Sequence, residues 1–278
     1  MPPGPAPLFG FLARNLTQSH EAQYCGSMST LTPILLLQGD AEARLLADAQ
    51  AAIESVLPDR QLQLLRAWIT RPDWLDPQAP GQPETLRRRG LLEDLDVRAL
   101  LEQPQRLVVI SFLPVVAMPA LKHRDGGVFL AHQGVRERWS AQDAALVQAE
   151  CELQPALSAH EAARAFEPVI DRLQQRGAAV AIATAFRHVR EPLQHRAAAG
   201  PPPLRELIQR ANLEVASLSQ RTGCFVLDLD RPLAQEGGDP LASDCFGGAG
   251  HAAELALEEL VALVMDALPD ELMPAEVP

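Results

Sequence analysis

Short, wholly apolar runs alternate along this chain with segments whose apolar residues recur every three or four positions. That alternation predicts parallel strands joined by crossover helices. The first run, Ile34-Leu35-Leu36-Leu37, is apolar at every position, as a strand covered on both faces requires, and it breaks at Gly39. A helix is expected over 41–56 from Leu45, Leu46, Ala49, Ile53 and Val56, closed by Pro58. A second strand is expected near 61–69. A Pro-rich loop from Arg71 to Pro83 then leads to a helix holding Leu91, Leu92, Leu95 and Leu100. Leu107 to Phe112 reads as the third strand, ended by Pro114. Residues 114–139, with Pro119, Gly126-Gly127 and Gly134, read as an irregular excursion over the sheet. Helices are expected at about 140–154 and 158–176, a fourth strand from Ala179 to Phe186, a helix at 204–221, a fifth strand from Cys224 to Leu229 and a last helix at about 250–267. The sum is one α/β domain over 31–268, a three-layer, flavodoxin-like, five-stranded and mainly parallel sheet. Residues 1–30 are expected to be a flexible extension and 269–278 a frayed tail. Met28 is an alternative start.

Composition narrows the partners. The 278 residues carry 24 Lys and Arg against 36 Asp and Glu, for a formal charge of −12, and Lys122 is the only lysine. Such a field disfavours phosphate backbones, so nucleic acid is not expected as a partner. No apolar run approaches the roughly 18 residues that span a bilayer. The first thirty residues lack the pattern of a signal peptide, and the reading is of a soluble, cytoplasmic protein. Cys25, Cys151, Cys224 and Cys245 lie far apart with no CxxC pair, which fits reduced thiols. HxH, HExxH and phosphate-loop patterns are absent, so neither a metal nor a cofactor is expected.

In an open parallel sheet, ligands bind beyond the carboxyl ends of the strands, which directs attention to 38–42, 111–139, 186–203 and 228–251. Gln38-Gly39-Asp40-Ala41-Glu42 turns from strand to helix. Gly39 and Asp40 suit either a tight turn with an N-cap or a ligand-facing pair. Arg187, His188 and Arg190 form either solvated loop charge or an anion-binding lip, since Arg forks hold phosphate, sulfate or carboxylate groups bidentately. His132, His195 and Arg196 occupy the same crevice-side loops, and Asp228 and Asp230 close the fifth strand. Cys245 is either a loop cysteine or, if a histidine approaches it, a nucleophile. His251, in the first turn of the last helix, is expected to be neutral, because the helix dipole opposes an imidazolium there.

The Gly39-Asp40-Ala41 turn, together with Ala249-Gly250-His251-Ala252 opening the last helix, resembles the SGNH (GDSL-type) hydrolases over about residues 33–268. The resemblance implies their fold and an acyl-ester site. It also implies what is missing. The family's nucleophilic Ser corresponds to Ala41, its catalytic His to Cys245 and its Asp to Ala242, with Asp244 adjacent. Its Gly-x-Asn-Asp block after strand three corresponds to Ser111-Phe112-Leu113-Pro114, with no Asn. Loss of a triad nucleophile costs on the order of 10⁶ in turnover. The opening turn is also similar to the Gly-Asn-Cys-Gln of capsule-biosynthesis acetyltransferases, again with Ala41 in place of the nucleophile. The expected function is a degenerate SGNH-like protein with a ligand-binding or accessory role in carbohydrate or acyl-ester metabolism, its partner a small acyl or carbohydrate ligand or another protein. The rival is an acyl-ester hydrolase or acyltransferase with displaced groups, centred on Asp40, Cys245 and His251. Gly39, Asp244, Arg187, His188 and Arg190 are the expected ligand contacts.

Overall fold

The computed structural model describes residues 32–38, 62–68, 84–89, 91, 101–130, 139–185, 204–231 and 251–268, all within the unit Thr32–Pro278. Five parallel strands form the main sheet: β1 (Thr32–Gln38), β2 (Leu62–Trp68), β3 (Leu107–Ser111), β7 (Ala179–Ala183) and β8 (Phe225–Leu227), in the order β2-β1-β3-β7-β8. Leu37 pairs with Ile110 and Ser111 with Ala183, so these strands end nearly level. The strand order reverses between β1 and β3. In a doubly wound sheet that reversal opens a crevice at the carboxyl ends, because the connections on either side turn to opposite faces.

Strand pleat divides the core. Val108, Ile110, Val180 and Ile182 face one layer, made by α2 (Leu113–Ala117), α4 (Ala159–Gln175) and α5 (Leu204–Thr222). Leu107, Val109, Ala181 and Ala183 face α6 (His251–Ala267) through Leu260, Val261, Leu263 and Val264. Alanines on β7 leave room for the leucines of α6, while Phe166 of α4 packs on Phe112 with ring centroids 5.8 Å apart. Burial on both faces is why β3 reads as five consecutive buried positions.

The helices stop and start where local chemistry dictates. Ser158 accepts from the backbone N–H of Glu161, whose carboxylate accepts in return from the Ser158 N–H. Ser140 and Asp143 repeat this box at the start of α3 (Ala141–Glu150). Gly177 ends α4 at φ +86°, a conformation that frees the Ala178 N–H to bond Leu173 O at 3.1 Å.

Two expectations are corrected. The excursion 114–139 is not irregular throughout. It winds through α2 and then a hairpin, β4 (Ala120–His123) and β5 (Val128–Leu130), closed by His123 N–H on Gly127 O at 2.7 Å. The helix expected to reach residue 154 ends at Glu150, and Cys151–Gln154 forms β6, which pairs antiparallel with β4 in a second sheet of order β5-β4-β6. Pro155 favours extended backbone in the residue before it, and β4 offers a free edge, so pairing overrides the helical pattern. Between Glu84 and Leu101 the described residues give a short helix, α1 (Glu84–Arg88), with Leu91 buried beyond it; the expected helix core at 92–100 and the first helix at 41–56 lie outside the described residues.

Candidate functional site

Beyond the strand-order reversal at β1 and β3, the described residues that follow strand ends of the main sheet are those after β3, β7 and β8. At the end of β3, Ser111 is 2% exposed, and its Oγ has no hydrogen-bond partner among the described residues. The chain passes at once through Phe112 into α2, where Pro114 occupies the first turn and Pro114, Val115 and Val116 are buried. Phe112, Val115 and Val116 join the core layer of α4 and α5, on the face opposite that of Leu107 and Val109.

Beyond β7, Thr184 organises the neighbouring connection. Its hydroxyl accepts from the N–H of Leu229 at 2.9 Å and of Asp230 at 3.2 Å, and it donates to Asp228 Oδ1 at 3.2 Å. Asp228 Oδ1 also accepts from the N–H groups of Asp230 and Arg231, which turns the chain sharply out of β8. Asn212 of α5 clamps Ala185 from both sides, accepting from its N–H at 2.9 Å and donating to its carbonyl at 2.8 Å. These bonds fix the points from which segments 186–203 and 232–250 depart. Arg231, just past β8, reaches Glu259 at 3.4 Å, while the deeply buried positions of α6 begin at Leu260. The helix thus runs antiparallel to the strands, and its first turns, from His251, stand at their carboxyl ends.

Of the expected site residues, His251 is placed at the start of α6, on the crevice side of the sheet. Gly39, Asp40, Asp244, Cys245, Arg187, His188 and Arg190 lie outside the described residues. Asp228 closes β8 as expected, but its carboxylate is used in the turn. Asp230 is buried.

A polar cluster that sequence reading missed lies in the second sheet. His123 is 1% exposed; its Nδ1 accepts from the Asp125 N–H at 3.2 Å, so the ring proton sits on Nε2, which meets Glu150 Oε2 at 3.3 Å. Arg124 donates to the other Glu150 oxygen at 3.1 Å. Each ring nitrogen is satisfied, so the cluster staples the hairpin to the end of α3. In β6, burial, aided by the neighbouring Glu150 carboxylate, pushes the Cys151 thiol up to about 11. Burial also raises Cys224. Neither is poised as a thiolate at neutral pH. No group of three potential metal ligands occurs among the described residues, and no helix among them is long and apolar enough to cross a membrane.

No protein-family model matches the chain, and no curated protein matches it. In chain path it is similar to solved SGNH and GDSL-type hydrolases and esterases. A candidate SGNH hydrolase from Slackia heliotrinireducens is 13% identical over 84% of this chain and 98% of that one, at a TM-score of 0.46. A GDSL-like lipase from Bacteroides thetaiotaomicron is 9% identical, covering 94% and 100%, at 0.48. The psychrotrophic esterase EstA from a Pseudoalteromonas species is 14% identical, covering 86% and 99%, at 0.44.

Proposed function

We propose that the chain is a hydrolase-like protein that holds an acyl-bearing ligand, an ester or an acylated carbohydrate, in the crevice at the carboxyl ends of β1 and β3. It does so in a ligand-binding or accessory role without Ser-type turnover. The observation that carries this reading is the passage from β3 straight into α2. Ser111-Phe112-Leu113-Pro114 brings buried hydrocarbon to the switch point and no side-chain amide to stabilise an oxyanion, a contribution ordinarily worth about 10²–10³ in turnover. In sequence, Ala41 stands where the resembled family has its nucleophilic Ser and supplies no hydroxyl. Arg187, His188 and Arg190 suit the anionic end of such a ligand, and Gly39, Asp40 and Asp244 suit the turns that flank it. The four separated cysteines are in keeping with a reducing, cytoplasmic setting.

One observation favours the rival, an acyl-ester hydrolase or acyltransferase with displaced groups: His251 begins α6, and Cys245 stands shortly before it in a Gly-rich stretch of sequence. Hydrolysis of short activated acyl esters separates the two. Wild type and an Ala41→Ser variant are assayed with and without prior thiol blocking. Negligible wild-type turnover is expected. Turnover abolished both by blocking and by Cys245→Ala would support the rival through Cys245, and robust turnover that survives blocking would sink both readings of the nucleophile.

A further inference from the structure

We propose that His123 is a proton-operated latch on the hairpin of the second sheet. Neutral, its ring holds the turn through the Asp125 backbone; protonated, it releases that amide and takes the Asp125 carboxylate in its place.

The turn fixes the starting state. Arg124, Asp125 and Gly126 form a three-residue loop between β4 and β5, with Gly126 at φ +96° and its N–H on His123 O at 2.8 Å. The His123 ring does here what an Asn or Asp side chain does in many turns, accepting from the backbone two residues on: Asp125 N–H donates to Nδ1 at 3.2 Å. An imidazole accepts at Nδ1 only while that nitrogen carries no proton. Nε2–H is meanwhile directed at Glu150 Oε2, 3.3 Å away at the end of α3. The ring is 1% exposed, so the protein itself must supply any new partner.

Protonation breaks one of these bonds and keeps the other. With hydrogen on both nitrogens, Nδ1–H faces the Asp125 N–H, donor against donor, and that contact is lost. A replacement acceptor already stands beside it: Asp125 Oδ2 lies 3.4 Å from Nδ1, on a side chain exposed enough, at 78%, to close the remaining gap. Glu150 keeps Nε2–H and now faces a full opposite charge. The proton therefore moves the hold on His123 from the backbone of the turn to its side chain.

The groups around the ring leave these two carboxylates to answer its charge. In the turn, Arg124 is engaged by the other Glu150 oxygen at 3.1 Å. On β6, Cys151 stands opposite His123 in register, and its thiol, pushed up to about 11, carries no charge near neutral pH. Lys122 and Glu152 oppose each other on the other face of the sheet, and β5 consists of Val, Phe and Leu. From α1 and the first turn of α3, Arg89 and Asp143 pair with each other at 3.5 Å. Among the described residues, Asp125 and Glu150 are thus the charged groups within reach of the two ring nitrogens.

Nitrogen-15 NMR of the full chain follows the ring nitrogens and the Asp125 amide as pH is lowered from about 8 to about 5, the range in which histidine changes charge. At the upper end the His123 ring should carry its proton on Nε2 alone, with the Asp125 N–H protected from exchange. At the lower end both ring nitrogens should be protonated, and the Asp125 N–H should lose about tenfold of its protection relative to an unfolded chain, the loss of one hydrogen bond, along one shared transition. His123→Gln, which cannot titrate, should abolish the transition at Asp125. Asp125→Asn and Glu150→Gln, each checked by thermal melting, should both shift it to lower pH, Glu150→Gln by more because that carboxylate is 13% exposed against 78%. A ring that keeps Nδ1 bare to the end of the titration, an Asp125 transition that persists in His123→Gln, or a shift to higher pH in either carboxylate variant overturns the proposal. Should the variants fail to fold, wild type still decides: a ring that gains its second proton while the Asp125 N–H stays protected overturns it as well.

Discussion

Replacing Thr184 by valine keeps the branched shape of the side chain and deletes only its hydroxyl, which makes it a clean probe of how the crevice loops are held. The hydroxyl accepts from Leu229 N–H and Asp230 N–H and donates to Asp228 Oδ1, and all of it is buried between β7 and the turn out of β8. Three bonds at about 1 kcal/mol net each set the upper end of the loss. The lower end is set by second partners already in place: Leu229 N–H also lies 3.1 Å from Leu227 O, and Asp230 N–H lies 3.2 Å from Asp228 Oδ1. Neither donor is wholly orphaned by the substitution. A loss of roughly 2–3 kcal/mol follows, and at about 2–4 °C per kcal/mol for a domain of this size the melting temperature should fall by roughly 4–12 °C. Thermal unfolding followed by circular dichroism measures it, with Thr184→Ser as the control that keeps the hydroxyl and loses one methyl, costing about 1 kcal/mol. If Thr184→Val melts within about 1 °C of wild type, or if Thr184→Ser falls as far as Thr184→Val, the hydroxyl does not hold the turn out of β8.

Two further outcomes concern charge and thiols. An Arg187→Ala, Arg190→Ala double variant should bind acetyl-coenzyme A at least tenfold more weakly than wild type by calorimetry, while phenyl butyrate binds both proteins alike; equal binding of the anionic ligand would remove the anion lip. Cys151 and Cys224 should resist a disulfide reagent in the folded protein at pH 8 and react in denaturant, because burial disfavours both thiolates. Since the folded Cys151 thiol titrates at about 11 against an ordinary 9.0, its contribution to stability is complete below pH 9 and is lost as pH rises through that window, so a chemical-denaturation midpoint that is flat from pH 9 to 11 would contradict the shift.

The central strands were legible because burial on both faces leaves no room for polar residues: Val108 to Ile110 and Val180 to Ile182 are hydrocarbon on either side of the pleat. Their ends were less so. Apolar character alone carries the fifth strand to Leu229, yet pairing stops at Leu227, because Asp228 takes the next backbone amides onto its carboxylate and pulls the chain out of register. The second sheet escaped for a different reason. Its strands are three or four residues long, one of them reads as the tail of a helix, and its buried histidine finds its carboxylate 27 residues away. Each of these facts is created by pairing, and local pattern carries no record of a partner that arrives from elsewhere in the chain.

The same limit explains why the sequence pointed at Gly39, Asp40, Cys245 and His251 and passed over Ser111. Resemblance directs attention to positions where a known motif ought to stand, and at those positions this chain has Ala41 and Cys245 in place of the motif. Ser111 stands at the first position of the Gly-x-Asn-Asp block, yet in sequence it is only the polar terminus of an apolar strand, and serine is unremarkable there. Its setting is supplied only by the fold: the strand order reverses beside it, and among the described residues its hydroxyl has no hydrogen-bond partner. A hydroxyl left empty beside a neighbour that is triply bonded contributes nothing to stability that alanine would not improve upon.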